Sequence, residues 1–508
     1  MDRKSGQSER SGLSRRQLLS GIAIGALVVG FEPISRTWVT AAQAATTPSF
    51  NNVPALDGAI YFDSDTRTAH SYDQGNIVQQ MPAAVLRPGS VDDIAKMIQY
   101  CRQRGIKVAP QGGGQGRPNS VFGHGLVSGG LVIELRWLNT IHSIGPDGAY
   151  VDAGVQWNDL IKAAYAEGLT PPSITGYTQL SVGGTLSIGG LGAWSTNRAG
   201  AQVDHTQQVQ VVTGSGAITE ASMDKNSELF QAVLGGLGQC GVITRAKVDL
   251  VPAKELARTY RIPYTDISMF FSDIRTLINR TSEQDTFDVV INVCAPGTAS
   301  PLSLWATIFY NTGSTPNTDT LLAGLSPAAK AAPFTDSNYL DYIFQVDSIY
   351  DSFKATANWE AKVKPWINLQ LPDDAVEQFV KSIVPTLTPE DIGPTGFLLV
   401  WPNLRSSFTR PLVRVPSAGK WVWTFGILTD SADPGPNPTF ASKMTARNKK
   451  LYDTAYALGA TRYPEDAIPF TTTDWKNHYG STWPAFNNWK MKYDPSNILT
   501  PGSGIFGQ

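Results

Sequence analysis

An α+β chain of two structural units behind a leader is what the amino-acid sequence predicts, and three observations carry that reading. Strand-like and helix-like segments interleave over 82–251, an order that fits α/β or α+β architecture. Two dense glycine clusters fall inside that half, at 112–116 and 183–192. From 253 to 456 the glycine loops vanish, and proline, aromatic residues and alternating runs such as Trp421-Val422-Trp423-Thr424-Phe425 take over. At 508 residues the chain is long enough for two or three domains with cores of their own.

The first 44 residues read as an export leader. Ser14-Arg15-Arg16-Gln17-Leu18-Leu19 is a twin-arginine pattern, an apolar run follows over 18–31, and Ala42-Gln43-Ala44 offers a small-x-small cleavage site. The run is 14 residues, short against the ~20 of a membrane span, so the processed chain is expected off the membrane, periplasmic or extracellular. This route carries proteins already folded, which suits a chain that must load a cofactor first.

The elements follow in order. Residues 46–77 read as an arm with little periodicity, and 82–88 as a short strand. Ser90 caps a helix in which Val91, Ile94, Ile98 and Cys101 recur at three and four, Asp92 and Asp93 favour its N-terminus, and Gly105 ends it. A strand at 107–109 leads into the first glycine cluster. Strands at 131–135 and 149–153 and a helix at 158–167 come next. Beyond the second cluster lie strands at 208–213 and 217–220, a helix near 228–234 and a strand at 242–251. The sequence divides as leader 1–44, first unit 45–252, central unit 253–456 and a returning tail 457–508.

Composition excludes several classes. Apolar content of 42% and charged content of 17% describe a globular protein. Beyond residue 44 the chain holds 35 Lys and Arg against 40 Asp and Glu, which gives no reason to expect nucleic acid as partner. Cys101, Cys240 and Cys294 are too scattered for a disulfide framework or a zinc site, although one bridge is open to them. With histidines only at 70, 124, 142, 205 and 478, no metal centre is expected.

The stretch 109–125 holds six glycines in 17 residues. Successive glycines let backbone N–H groups turn inward together and approach an anion without Cβ clashes, and a pyrophosphate is the natural candidate. The dinucleotide fingerprint occurs once, at Gly236-Leu237-Gly238-Gln239-Cys240-Gly241. There a helix precedes it and a β-rich run follows, the reverse of the required strand-then-helix context. No P-loop pattern is present. The phosphate reader is therefore of another kind.

Ser71-Tyr72-Asp73-Gln74-Gly75-Asn76, Pro82-Ala83-Ala84-Val85-Leu86 and the first glycine cluster resemble the FAD domain of the vanillyl-alcohol-oxidase (PCMH-type FAD-binding) flavoprotein superfamily. Leu180-Ser181-Val182-Gly183-Gly184-Thr185-Leu186-Ser187, the run 233–246, Pro365-Trp366-Ile367-Asn368-Leu369 and the run 492–502 stand in the order seen in cytokinin dehydrogenases. The resemblance runs from about residue 70 to the end. It implies an FAD domain built from both chain ends and a central substrate (cap) domain with an antiparallel sheet. It places Gly112, Gly113, Gly114, Gly116, Ser120, Gly176, Ser181, Gly183, Gly184, Ser187, Leu191 and Ile243 at FAD, joined by Thr500 and Ser503 from the tail.

The departures bear on function. The family's flavin-linking histidine is replaced by Gln115 or Asn119, depending on alignment, which implies noncovalent FAD. His124, a few residues on, is the one nearby histidine that offers a linkage. Gly176 stands where the family carries its catalytic aspartate, and Ile291 near its substrate-contacting glutamate. The cysteine of doubly attached sugar oxidases is missing near 175–177. The resemblance implies an exported FAD-dependent oxidase or dehydrogenase that passes a hydride from a small amine, alcohol or heterocycle to flavin N5, with oxygen or another electron acceptor. Cytokinin oxidation with a replaced base, and a flavin-binding protein without catalysis, are the rival readings. Tyr177, Trp401 and Arg405 are the expected substrate-side residues, and the segment 474–479, with His478, is a further source of a base.

Overall fold

The computed structural model describes residues 50–113, 122–282, 285–294 and 302–507, together with the backbone of Val28–Glu32 paired antiparallel with Thr37–Thr40. The chain is α+β, as the sequence predicts. Near its N-terminal end a four-stranded mixed sheet runs in the order Ala59–Tyr61, Ala84–Arg87, Leu131–Glu134, Val108–Gln111. The last three strands are parallel to one another and wholly or largely buried, as expected where a crossover helix covers the sheet. That helix is Val91–Arg104. Ser90 Oγ accepts from Asp93 N at 3.3 Å, Gly105 closes it at φ 64°, and Ile94, Met97, Ile98 and Cys101 are buried. The arm expected over 46–77 contains the strand Ala59–Tyr61 and the helix Ser64–Ala69. Three strand residues and a helix with no buried side chain leave no periodic signal in the sequence.

A five-stranded antiparallel sheet follows, in the order Ile218–Ser222, Thr206–Val212, Val242–Val248, Gly148–Asp152, Ile141–Gly145. The second glycine cluster differs from expectation. Val182–Ile188 is a helix, capped by Ser181 Oγ accepting from Gly184 N at 3.3 Å. Its first amides are already used, Val182 N donating to Val155 O and Gly183 N to Ala153 O. They form no open nest.

The central unit is an eight-stranded antiparallel sheet in the order Phe334–Asn338, Leu256–Tyr264, Leu302–Tyr310, Val289–Cys294, Leu398–Leu404, Trp421–Ile427, Ile367–Pro372, Thr461–Arg462. All seven residues of Trp421–Ile427 are buried. The alternating run is therefore covered on both faces, unlike a strand with one wet face. The last strand comes from the tail, Arg462 pairing with Leu369, so the chain is still part of the central sheet beyond 457. It then returns to the first sheet, where Val108 N donates to Ile498 O and Thr500 N to Val108 O, both at 2.8 Å. Cys101, Cys240 and Cys294 are buried and form no disulfide among the described residues.

Candidate active site

Alternate residues of the central sheet share one face. Arg261 and Pro263, Trp305 and Ser303, Val293, and Leu399 and Trp401 come from four neighbouring strands and line one cavity of about 950 Å³. The helix Gln345–Ala357 lies over this face. Its Val346, Ile349, Tyr350 and Phe353, spaced i, i+3, i+4, i+7, complete an apolar wall.

Another part of the lining is glycine backbone. Gly112 and Gly113 leave the strand Val108–Gln111 and face the cavity. A Cβ on Gly112 would stand 1.9 Å from Ser181 Oγ, so the chain passes the helix cap with no room for a side chain. A Cβ on Gly183 would stand 2.7 Å from that of Ala153. Gln111 holds the two ends of the first cluster together. Its Nε2 donates to Gly125 O at 2.8 Å, and its Oε1 faces His70 Nδ1 at 2.7 Å.

The cavity gathers most of the residues read from the sequence. Gly112, Gly113, Ser181, Gly183, Gly184 and Ser187 line it, with Leu191, Ile243 and Thr500. Gly176, Tyr177, His124 and Trp401 line it as well. Gly114, Gln115, Gly116, Asn119 and Ser120 lie outside the described residues. Two expected residues lie elsewhere. Arg405 is absent from the wall because its Nε donates to Gly419 O at 2.5 Å, at the end of its strand. Ser503 is also absent, its Oγ accepting from Gln239 Nε2 at 3.0 Å behind Thr500. His478 is buried away from the cavity among Phe470, Trp475 and Tyr479, and burial lowers its pKa well below the usual histidine value. It offers no base to a ligand there. Asp474 caps its own helix through Thr471.

Tyr177 accepts from Lys354 Nζ at 3.0 Å and donates to Gln179 Oε1 at 3.0 Å. Burial raises its pKa more than Lys354 lowers it, so the phenol is neutral at pH 7 and cannot take a proton in that form. Gly176 leaves no space for the family's aspartate. A Cβ there would stand 2.4 Å from Trp194 Nε1. Ile291 sits on the sheet opposite Trp305 and is fully buried, and Val293 lines the cavity in its place.

Sequence reasoning missed several wall residues. Leu237, Gly238 and Gly241 belong to the run rejected as a dinucleotide fingerprint, yet they face the cavity, and the density of glycine there was the available signal. Glu465 is the only carboxylate among the described residues that line the cavity, and no local pattern marks it. Asn368 Nδ2 fixes its backbone by donating to Glu465 O at 2.5 Å.

The donor set fits FAD. The cavity is large enough for a dinucleotide-sized ligand, within the usual ~300–1,000 Å³ of cofactor sites. Glycine backbone forms part of the lining, packed so closely on Ser181 and Ala153 that no side chain fits at Gly112 or Gly183. His124 lines the cavity, but its ring nitrogens are sealed within the protein, and burial, then the charge of Arg462, holds its pKa down to about 3. Gly112, Gly113, Ser181 and Thr500 are the lining residues that would hold the cofactor.

Fold and cavity together define an FAD-dependent oxidoreductase. Residues 82–222 match the family described as FAD binding domain, and 315–506 that described as Cytokinin dehydrogenase 1, FAD and cytokinin binding. An uncharacterized oxidoreductase, ORF5 in the fasciation locus of Rhodococcoides fascians, is 34% identical over 451 residues, covering 88% of this chain and 99% of the relative. Cytokinin dehydrogenase 4 of Oryza sativa subsp. japonica is 30% identical over 503 residues, covering 90% and 93%. Cytokinin dehydrogenase 4 of Arabidopsis thaliana is 29% identical over 498 residues, covering 89% and 93%. The chain belongs to the cytokinin dehydrogenase family of FAD-dependent oxidoreductases.

Proposed function

We propose that the protein oxidises a small planar amine, alcohol or heterocycle at a carbon held in this cavity, with FAD bound noncovalently and oxygen or another acceptor completing the cycle. The observation that carries this reading is the wall itself. It combines glycine backbone, an aromatic and aliphatic face and, among the described residues, one carboxylate. Bound FAD would supply the two-electron acceptor. The chain does the rest. Tyr350, Phe353, Phe397 and Trp401 exclude water and press a flat molecule into place. Glu465 takes the proton that leaves the substrate's O–H or N–H as its C–H bond gives up a hydride. The twin-arginine leader supports export of the folded, cofactor-loaded chain.

A second reading, oxidation of a cytokinin, is favoured by the same carboxylate, because Glu465 would replace the base missing at Gly176. Anaerobic mixing separates the two. Bleaching of the yellow protein by simple aromatic amines or alcohols, faster than by a cytokinin, supports the first reading, and the reverse order supports the second. Persistent colour with every reductant sinks both and leaves a flavin-binding protein. Glu465→Gln is expected to slow bleaching by ~10²–10⁴-fold with flavin content unchanged. Acid precipitation of the same preparation is expected to release the flavin to the supernatant.

A further inference from the structure

Gly176 and Trp194 reverse the polarity of the substrate end of the cavity. The space an acid side chain would fill at Gly176 is taken by the indole of Trp194, with Nε1 at 2.4 Å and Cδ1 at 2.8 Å from the missing Cβ. Trp194 is 6% exposed and lines the cavity. Its Nε1–H makes no hydrogen bond to a described residue, and it is not among the atoms sealed from the open space. Indole N–H is a donor only. Where an aspartate would accept a hydrogen bond from a ligand, this chain can only donate one.

The stripe continues outward. Trp194 meets Trp305 edge-on at 6.2 Å, and the Arg261 guanidinium lies over the Trp305 ring at 4.3 Å. Arg261 and Trp305 are directly opposed cross-strand partners, which fixes that stacking. Arg261 is exposed at the cavity rim and has no carboxylate partner among the described residues.

We propose that Trp194 determines specificity, selecting a planar aromatic substrate that presents a hydrogen-bond acceptor beside Gly176, and that Arg261 favours one bearing an anionic group. This rests on the oxidoreductase reading above and names the substrate class for it. A ligand offering only donors leaves the Trp194 N–H unpaired in an apolar wall and is disfavoured. A flat aromatic carboxylate satisfies the indole donor, the aromatic stripe and the rim cation together.

The test is ligand binding, read from perturbation of the flavin spectrum of the FAD-loaded protein, so it needs no turnover. The probes are benzoate (anionic acceptor), acetophenone (neutral acceptor) and benzylammonium (donor only). The expected order of affinity is benzoate, acetophenone, benzylammonium. Trp194→Phe keeps an aromatic ring and removes the donor. It is expected to weaken benzoate about tenfold and acetophenone about threefold, leaving benzylammonium unchanged. Arg261→Gln is expected to bring benzoate close to acetophenone. Tightest binding by benzylammonium, acceptor affinities unchanged in W194F, or no perturbation by any probe at full flavin content overturns the assignment of Trp194. An unchanged benzoate-to-acetophenone ratio in R261Q overturns the anionic preference. If the probes bind as expected and no reductant bleaches the flavin, the redox reading fails while this one stands.

Discussion

At Gly176 one missing Cβ decides what chemistry the cavity can hold. Introducing the family's acid there drives a side chain into the Trp194 indole, and overpacking of this kind costs ~1–3 kcal/mol. Gly176→Asp is expected to lower the melting temperature and the flavin content together. The double variant Gly176→Asp, Trp194→Ala vacates the space and is expected to recover both, as thermal unfolding and flavin absorbance will show. Failure of the second change to rescue the first would place the strain elsewhere. Tyr177 teaches the complementary lesson. Its place in the sequence suggests a base, but Lys354 and Gln179 occupy its hydroxyl and burial keeps it neutral, so it serves as a fixed wall.

The central sheet sets the scale of the element. Its cavity face is spelled by every second residue on four strands, and the opposite side is sealed as well. Polar groups inside it must therefore pair with one another. Thr424, on the fully buried strand Trp421–Ile427, accepts from Gln370 Nε2 at 2.9 Å and from Asn403 Nδ2 at 3.2 Å. Thr424→Val preserves shape and removes both partners. The expected cost is ~1–3 kcal/mol, because two buried amides lose an acceptor. A melting temperature equal to that of the parent would show the amides re-paired. The helix Gln345–Ala357 went unread in the sequence although Val346, Ile349, Tyr350 and Phe353 follow helical spacing, and only the fold shows that this face meets a cavity rather than a core.

Across the whole molecule, the parts of the cofactor wall are tied together from behind. Glu134, on the strand Leu131–Glu134, is buried with ion pairs to Arg87 at 2.8 Å and to Arg136, and faces His70, which in turn meets Gln111 at the glycine cluster. Burial would raise its pKa, but hydrogen bonds from His70 and Arg87, with the charge of Arg136, outweigh it and hold the carboxyl at about 2. In the unfolded chain it titrates near ~4.3. Between those values the unfolded state binds the extra proton, so this contribution is complete above about pH 4.3 and fades as the pH falls towards 2. Glu134→Gln is expected to be less stable at neutral pH and to lose less on acidification. Melting curves at a series of pH values check it, and parallel slopes for the two proteins would remove Glu134 from the acid response.

Local signals in the sequence were enough for the α+β class, the capped helix at Ser90 and both glycine clusters, while the family was legible through resemblance. Those local signals are short-range patterns such as capping, turn chemistry or periodicity, which a linear chain displays directly. The tail was legible through resemblance alone, because nothing local says that Thr500 lies against Val108. Tertiary structure decided the rest. It turned the second glycine cluster into a helix with its amides spent, drew Arg405, Ser503 and His478 away from the wall, and brought in Glu465 and Trp194. These outcomes depend on which distant backbone or side chain reaches a given atom first, and sequence spacing carries no record of that competition.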